Sequence, residues 1–270
     1  MQRVARDIKH RGRIGFVPTM GYLHEGHLRL VRAARRQSDF VVVSIFVNPI
    51  QFGPKEDYRR YPRDFSRDRR LLRSAGADFV FYPEVTDMYP EGFATYVEVE
   101  RLGEGLCGKS RPGHFRGVTT VVAKLFNIVL PDVAVFGAKD AQQAFVIRRM
   151  TRDLGFPTRI AILQTAREKD GLAMSSRNVY LTPEQRAEAP VLYRSLSLAK
   201  RLIGQGERSA AKVKAAMRRL IRKTSGRIDY VEMVDTDELR PVRTIKGETL
   251  VALAVFFGKT RLIDNTIVRA

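Results

Sequence analysis

Eight residues from Phe40 to Val47, FVVVSIFV, carry one polar side chain, Ser44. The run does not alternate, so it cannot lie on a sheet with one wet face. It is also short and β-branched, which suits a parallel strand covered on both faces. Such a strand needs helices on either side of its sheet, and the flanking sequence supplies them in alternation. RIGFVPT (13–19) reads as a strand and HLRLVRAARRQ (27–37) as an amphipathic helix. RDRRLLRSAGA (67–77) is helical with Gly76 as its stop, and ADFVFYP (77–83) is a short strand. GVTTVVAKLFNIVLP (117–131) suits a buried helix closed by Pro131. The strand DVAVFG (132–137) and the helix AQQAFVIRRMTRDLG (141–155), ended by Gly155, follow it. The alternation predicts an α/β fold, a Rossmann-like doubly wound parallel sheet with helices on both faces.

Near residue 166 the character changes. The expected organisation is a larger α/β domain over 1–165 and a small α+β C-terminal domain over 166–270. TPEQRAEAPVLYRSLSLAKRLIGQG (182–206) predicts one long helix with Thr182 as N-cap and Pro183 at its first position. A second helix is expected over 209–223, and IDYVEMVD, ETLVALAVFFG and TRLIDNT are β-rich.

Lys and Arg total 48 against 29 Asp and Glu, a formal charge of +19. That balance suits anionic partners such as nucleotides, phosphorylated metabolites, nucleic acid or anionic lipid, and equally suits an Arg-rich solvated surface. The single cysteine, Cys107, excludes an internal disulfide and fits a reducing compartment. MQRVARDIKHRGR at the start is basic without the apolar stretch of a secretory signal, and no apolar run reaches the length of a membrane span. A soluble intracellular protein is expected.

Ligands of doubly wound sheets bind beyond the carboxyl ends of the strands. GEGLCGKS (103–110) matches the phosphate-loop pattern G-x-x-x-x-G-K-S, but its context opposes that reading. The preceding YVEVE (96–100) alternates like a half-exposed strand, and Arg111-Pro112-Gly113 cannot continue a helix begun at Lys109-Ser110. PTMGYLHEGHLRL (18–30) has the better context. Gly21 permits a tight turn and Gly26 a close backbone approach, while the helix that follows aims its unpaired N–H groups into the turn. His24 and His27 add imidazole donors suited to phosphoryl oxygens. Zinc would need more ligands, and only His10 and His114 remain, with no cysteine pair. Ordinary helix-start histidines are the plain alternative.

Two further segments stand out, one at a strand end and one just past the expected domain boundary. FGAKDAQQ (136–143) sets Lys139, Asp140, Gln142 and Gln143 at another strand end, and MSSRN (174–178) gathers Ser175, Ser176 and Arg177. Each alone reads as a solvated loop or a capping cluster. Together they supply what triphosphate chemistry needs: neutralised charge on the nucleotide and support for departing pyrophosphate. The residues themselves point to nucleotidyl transfer and no further.

These segments, with VVVSIFVNPIQFGPKEDYRRYPRD, RPGHFRGVTTVVAKLFNIVLPDVAVFGAKDAQQ, REKDGLAMSSRNVYLT and RLIDN, resemble the pantothenate synthetase (pantoate–β-alanine ligase) family, in order and over almost the whole chain. The resemblance implies a cytoplasmic ligase of coenzyme A biosynthesis that condenses (R)-pantoate with β-alanine. ATP would be consumed and AMP and pyrophosphate released, by way of pantoyl adenylate.

The resemblance also implies residue roles. Met20, Gly21, Tyr22, Leu23, His24, Glu25, Gly26 and His27 would wall the nucleotide, with His24 and His27 on its phosphates and His27 as proton donor. Gly137 and Asp140 would face the ribose and Lys139 the phosphates, while Ala138, Ala166 and Met174 would complete the ATP surface. Ser175, Ser176 and Arg177 would close over the phosphates from the 166–270 domain, acting as a lid that excludes water. Gln51 and Gln143 would hold pantoate, since an amide offers both donor and acceptor. Asp68 matches a carboxylate linked to Mg2+, an ion that keeps several waters and bridges phosphate oxygens. A homodimer through the first domain is implied, with no membrane partner and no nucleic acid despite the charge. Ala138, Gln164 and Ala166 depart from the residues usual in the family, and none of the three removes a named catalytic group.

Two other function classes stand beside this one. A nucleotidyltransferase acting on a phosphorylated mononucleotide would share H-x-G-H but would need neither the glutamines nor VNPIQFG and RPGHFRG. A nucleic-acid-binding protein would account for the charge, but not for FGAKDAQQ, and the chain has no aromatic-rich strand motif for stacking bases.

Overall fold

The computed structural model describes residues 1–54 and 56–270. They form two compact units. The first comprises Met1–Gly103, Arg111–Ala138 and Gln143–Gln164; the second comprises Glu104–Ser110, Lys139–Gln142 and Thr165–Ala270.

In chain order, α1 (Gln2–Lys9), β1 (Ile14–Thr19), α2 (Glu25–Arg35), β2 (Phe40–Ile45), α3 (Phe65–Ala75), β3 (Phe79–Phe81) and α4 (Val85–Met88) come first. After the four-residue α5 (Cys107–Ser110) come α6 (His114–Val129), β4 (Val133–Gly137), α7 (Ala141–Asp153) and β5 (Arg159–Leu163). The five strands form one parallel sheet in the order β3-β2-β1-β4-β5, which is the doubly wound arrangement. Val41, Val42 and Val43 are fully buried, as an unbroken apolar run requires. Gly76 ends α3 in the left-handed conformation at φ 90°, which a glycine adopts without a Cβ clash. Two elements carried little signal. α1 is short and basic, and β5 is an edge strand that opens on Arg159.

The chain reverses direction across the sheet between β1 and β4, and Pro18 shapes that place. Thr19 turns its carbonyl to β2, where Phe46 N–H donates to it at 3.0 Å. The alternating Pro18 therefore turns its missing N–H toward β4. The β1–β4 register runs only through Gly15↔Val133 and Phe16↔Ala134, although β1 continues to Thr19 and β4 to Gly137. A proline that would break a central ladder sits where that ladder has already ended. The two strands part there and open a crevice at the topological switch point.

Residues 96–100, expected as a half-exposed strand, join no sheet. Val97 is tied to α6 instead: its N–H donates to Thr120 Oγ1 at 3.0 Å and its carbonyl accepts from Thr119 Oγ1. The phosphate-loop match in GEGLCGKS therefore follows no strand, and its helix stops at Ser110.

The second unit contains α8 (Pro183–Glu188), α9 (Val191–Gly204) and α10 (Ala210–Ile221), then β6 (Arg227–Asp235), β7 (Glu248–Phe257) and β8 (Thr260–Arg269). The three strands form an antiparallel sheet in sequence order. The single helix expected over 182–206 is two. Thr182 caps α8 as expected, with Gln185 N–H donating to its Oγ1, but Pro190 has no N–H to continue the ladder. α9 and α10 pack Leu192, Leu196, Val213 and Met217 onto Val251, Leu253 and Val255 of β7 in one core. Among the described residues, no helix is long and apolar enough to cross a membrane.

Candidate active site

The β1–α2 turn occupies the switch-point crevice. Gly21 and Tyr22 both lie in the left-handed region, at φ 81° and 49°. A Cβ on Gly21 would stand 2.9 Å from Ile45 Cγ2 and 3.1 Å from Asp68 Oδ2, so this turn requires glycine. Thr19 Oγ1 accepts from Gly21 N–H at 3.2 Å. Asp68, projecting from α3, accepts from Tyr22 N–H at 2.7 Å and Leu23 N–H at 2.8 Å. Arg67 beside it donates to the Leu23 carbonyl at 2.9 Å and lies over the Tyr22 ring. Burial pushes the Asp68 carboxyl above the usual carboxylate range, against the lowering effect of the Leu23 and Tyr22 N–H groups.

This scaffold delivers the two histidines. His24 is the N-cap of α2: its Nδ1 accepts from Gly26 N–H at 3.1 Å, while His27 Nδ1 accepts from His24 N–H at 3.3 Å. Imidazoles thereby play the parts that Ser and Glu play in an ordinary capping box. With each Nδ1 spent as an acceptor, the proton of each neutral ring belongs on Nε2. The ring centroids are 4.0 Å apart, so two N–H donors share the positive end of one helix. Glu25 pairs with Arg32 on the helix surface.

Gln51 belongs to the same unit. It lies in a 3-10 turn (Pro49–Gln51) after β2, and its Nε2 donates to Met20 Sδ at 3.1 Å. Its Oε1 accepts from Asn48 Nδ2 at 3.0 Å, and Asn48 in turn accepts from the Tyr89 hydroxyl at 2.8 Å. Burial pushes the Tyr89 phenol well above its ordinary value, which keeps that donor protonated. The Gln51 carbonyl accepts from His114 Nδ1 at 2.8 Å, so His114 Nε2 is the acceptor for Arg111 Nη1 at 2.9 Å. Arg111 also forks onto Glu56, both contacts being 2.6 Å. Burial raises the Glu56 carboxyl, and the Arg111 guanidinium more than reverses this, holding it below its ordinary value. Gly117 of α6 completes the packing: a Cβ there would meet the Ile50 carbonyl at 2.4 Å. Asn48, His114, Arg111, Glu56 and Gly117 carried no individual signal in the sequence. Gln51 and His114 are 63 residues apart, beyond what any local spacing reports.

The remaining expected residues divide between the units. In the first, Gly137 ends β4 and Ala138 follows it, and Gln143 lies in the first turn of α7. Lys139 and Asp140 belong to the second, their charged atoms 3.9 Å apart. There the Lys139 carbonyl accepts from Asn265 Nδ2 at 2.7 Å. Gln142 is structural: its Oε1 accepts from Cys107 N–H at 3.0 Å and its Nε2 donates to the Gly105 carbonyl at 2.8 Å. Ala166 and Met174 face each other across a small hairpin, Met174 N–H donating to the Ala166 carbonyl at 2.9 Å. Ser175 then caps the 3-10 turn Ser176–Tyr180, accepting from Arg177 N–H at 3.2 Å.

No group of three or more His, Cys, Asp or Glu among the described residues could hold a metal. Asp68 does not fit a resident magnesium ion either. It is 1% exposed and both its oxygens are engaged by backbone N–H groups.

The sequence model of the family described as Pantoate-beta-alanine ligase matches residues 1–267. The chain is 63% identical over 255 residues to the pantothenate synthetase of Moorella thermoacetica, covering 94% of this chain and 90% of that protein. It is 56% identical over 272 residues to the pantothenate synthetase of Caldicellulosiruptor bescii, covering 100% and 96%. Among solved structures, the pantothenate synthetase of Thermus thermophilus matches with a TM-score of 0.94 at 52% identity, covering 98% of both chains. A pantoate-beta-alanine ligase from Francisella tularensis, complexed with beta-gamma ATP and beta-alanine, matches with a TM-score of 0.80 at 33% identity. That match covers 98% of this chain and 94% of the other.

Proposed function

The chain belongs to the pantoate-beta-alanine ligase family, and we propose on that premise how its residues carry out the ATP-dependent condensation of pantoate with β-alanine. The observation that carries the reading is the reciprocal capping of His24 and His27, which makes Nε2–H the donor of each ring at the start of α2. A pantoate carboxylate oxygen attacks the α-phosphorus of ATP, and the bond to the pyrophosphate oxygen breaks. The β-alanine amine then attacks the acyl carbon of pantoyl adenylate. The acyl C–O bond breaks, AMP leaves, and the nitrogen gives up a proton.

His24 and His27 donate to phosphate oxygens, joined by the N-terminal dipoles of α2. His27, the residue read as proton donor, directs its Nε2–H to the oxygen that departs with pyrophosphate. Lys139, Ser175, Ser176 and Arg177 support the charge that builds on the departing pyrophosphate. Met20 through His27 serve the nucleotide, as do Gly137, Ala138, Asp140, Ala166 and Met174. Gln51 and Gln143 hold pantoate, and Gln51 is already oriented by Asn48 and Met20. Magnesium bound with ATP would neutralise phosphate charge, and no protein carboxylate is assigned to it. The reading places the enzyme in the cytoplasm as a homodimer.

Pyrophosphate release tests this reading directly. Release is expected from ATP with pantoate alone, and AMP with pantothenate only once β-alanine is added. Release that requires nicotinate mononucleotide or phosphopantetheine in place of pantoate would overturn it.

A further inference from the structure

The residues assigned to the phosphates in the second unit come from two separate stretches, Lys139 from 139–142 and Ser175–Arg177 from the segment after residue 165. Both stretches are anchored to consecutive residues of one strand. Asn265 on β8 donates through Nδ2 to the Lys139 carbonyl at 2.7 Å. Asp264, its neighbour, is buried and takes the Arg167 guanidinium in a two-pronged pair, at 2.7 Å on Oδ2 and 3.0 Å on Oδ1.

Alternation along a strand explains how adjacent residues serve different segments. Leu262 and Val268, of the same parity as Asp264, lie in the core of the unit. Asn265 therefore faces the other side of the sheet, together with Arg261, which pairs with Asp229 at 2.8 Å. On the inner side, Arg167 also donates to the Gly171 carbonyl at 3.0 Å and lies over the Tyr193 ring. Arg167 bridges to Ala173, so the ion pair grips the hairpin immediately before Ser175. Gly171 makes the hairpin possible, since a Cβ at its φ of 91° would strike the Tyr193 ring at 2.1 Å. Asn178, just after Arg177, is held by Glu168 Oε1 at 3.0 Å and the Ala173 carbonyl at 3.2 Å. A buried, doubly bonded Arg–Asp pair fixes geometry more effectively than it adds stability.

We propose that Asp264 and Asn265 are positioning residues for adenylate formation, Asn265 acting through Lys139 and Asp264 through Arg167 on Ser175–Arg177. The proposal rests on the reading that Lys139 and Ser175–Arg177 serve the phosphates. It predicts that the pair matters to the first half-reaction and not to the second.

Double-mutant cycles test it, with ATP–pyrophosphate exchange in the presence of pantoate as one readout. The single-turnover reaction of preformed pantoyl adenylate with β-alanine is the other. Asn265→Ala should slow exchange roughly ten- to a hundredfold and leave the β-alanine step unchanged. In a Lys139→Ala background it should add nothing further. Arg167→Lys, which keeps the charge but loses the fork, should behave likewise against Arg177→Ala. Equal slowing of both half-reactions, or an undiminished effect of Asn265→Ala in the Lys139→Ala background, would overturn the proposal. If Lys139→Ala itself exchanges normally, the phosphate reading of Lys139 fails. If Lys139→Ala is crippled and Asn265→Ala is normal, only the positioning role fails. Should Asn265→Ala not fold, Asn265→Asp, which has the same shape but no donor, carries the same test.

Discussion

Asp68 and Tyr22 are joined by a 2.7 Å hydrogen bond that sets the direction in which the chain leaves β1 for α2. The second carboxylate oxygen takes Leu23 N–H, so one buried side chain satisfies two backbone donors in a left-handed turn. Asp68→Asn offers one acceptor and turns an NH2 group toward the other N–H. That change should cost about 1–3 kcal/mol of stability and slow ATP–pyrophosphate exchange, because the histidines lose their platform. The Mg2+ concentration giving half-maximal exchange should stay where it is in the unaltered enzyme. A large rise in that concentration would make Asp68 a metal ligand after all.

Each histidine has two jobs, and substitution can separate them. His24→Ala removes both the cap acceptor and the Nε2 donor, and should lower both the melting temperature and the exchange rate. Asn is among the best N-cap residues, so His24→Asn should restore most of the melting temperature. The exchange rate should stay about 10²–10³-fold down, the scale of one lost charge-stabilising donor. Lys139→Ala and His27→Ala should lose adenylate formation on the same scale. Near-normal exchange in His24→Asn would show that His24 acts on the helix alone.

The parts of this molecule that were legible in the sequence are those set by local rules. FVVVSIFV had to be a covered strand, Gly76 a helix stop and Gly21 a turn, each because backbone geometry or burial admits few other residues. The long helix expected over 182–206 failed because its apolar spacing continues through Pro190 while the hydrogen-bond ladder does not. The alternation of YVEVE misled for a related reason. Two threonines of α6 satisfy the Val97 backbone, so no partner strand is needed. The supports of the site were illegible in principle. Asp68, His114, Asn265 and Arg167 act across 45 to 126 residues of intervening chain, and periodicity carries no information over such distances.

Gly117 is one of these silent supports, and its effect should be specific. A methyl group there would press on the Ile50 carbonyl and on the Gln51 backbone, 2.7 Å from both Gln51 N and Cα. Neither α6 nor the 3-10 turn can yield without moving Gln51. Gly117→Ala should therefore raise KM for pantoate much more than KM for ATP, as should Gln51→Ala and Gln143→Ala. Steady-state kinetics with each substrate varied would read this out, and an equal rise in both constants would detach Gln51 from pantoate.

The Glu56–Arg111 pair supports Gln51 from the other side and makes that support dependent on pH. Burial alone would raise the Glu56 carboxyl, but the Arg111 bonds and charge hold it below its ordinary value of 4.5. A carboxyl depressed on folding contributes stability that is present above 4.5 and lost as pH falls through the lower, folded-state value. Glu56→Gln should thus be less stable than the unaltered protein at neutral pH by about 1–3 kcal/mol. The gap between their melting temperatures should close as the pH drops below 4.5. At neutral pH the same variant frees Arg111, loosens its contact with His114 Nε2, and should raise KM for pantoate through the carbonyl of Gln51. Thermal melts of both proteins from neutral to acid pH decide the matter. A gap that stays constant across that range would mean the charge on Glu56 does not hold this corner of the site.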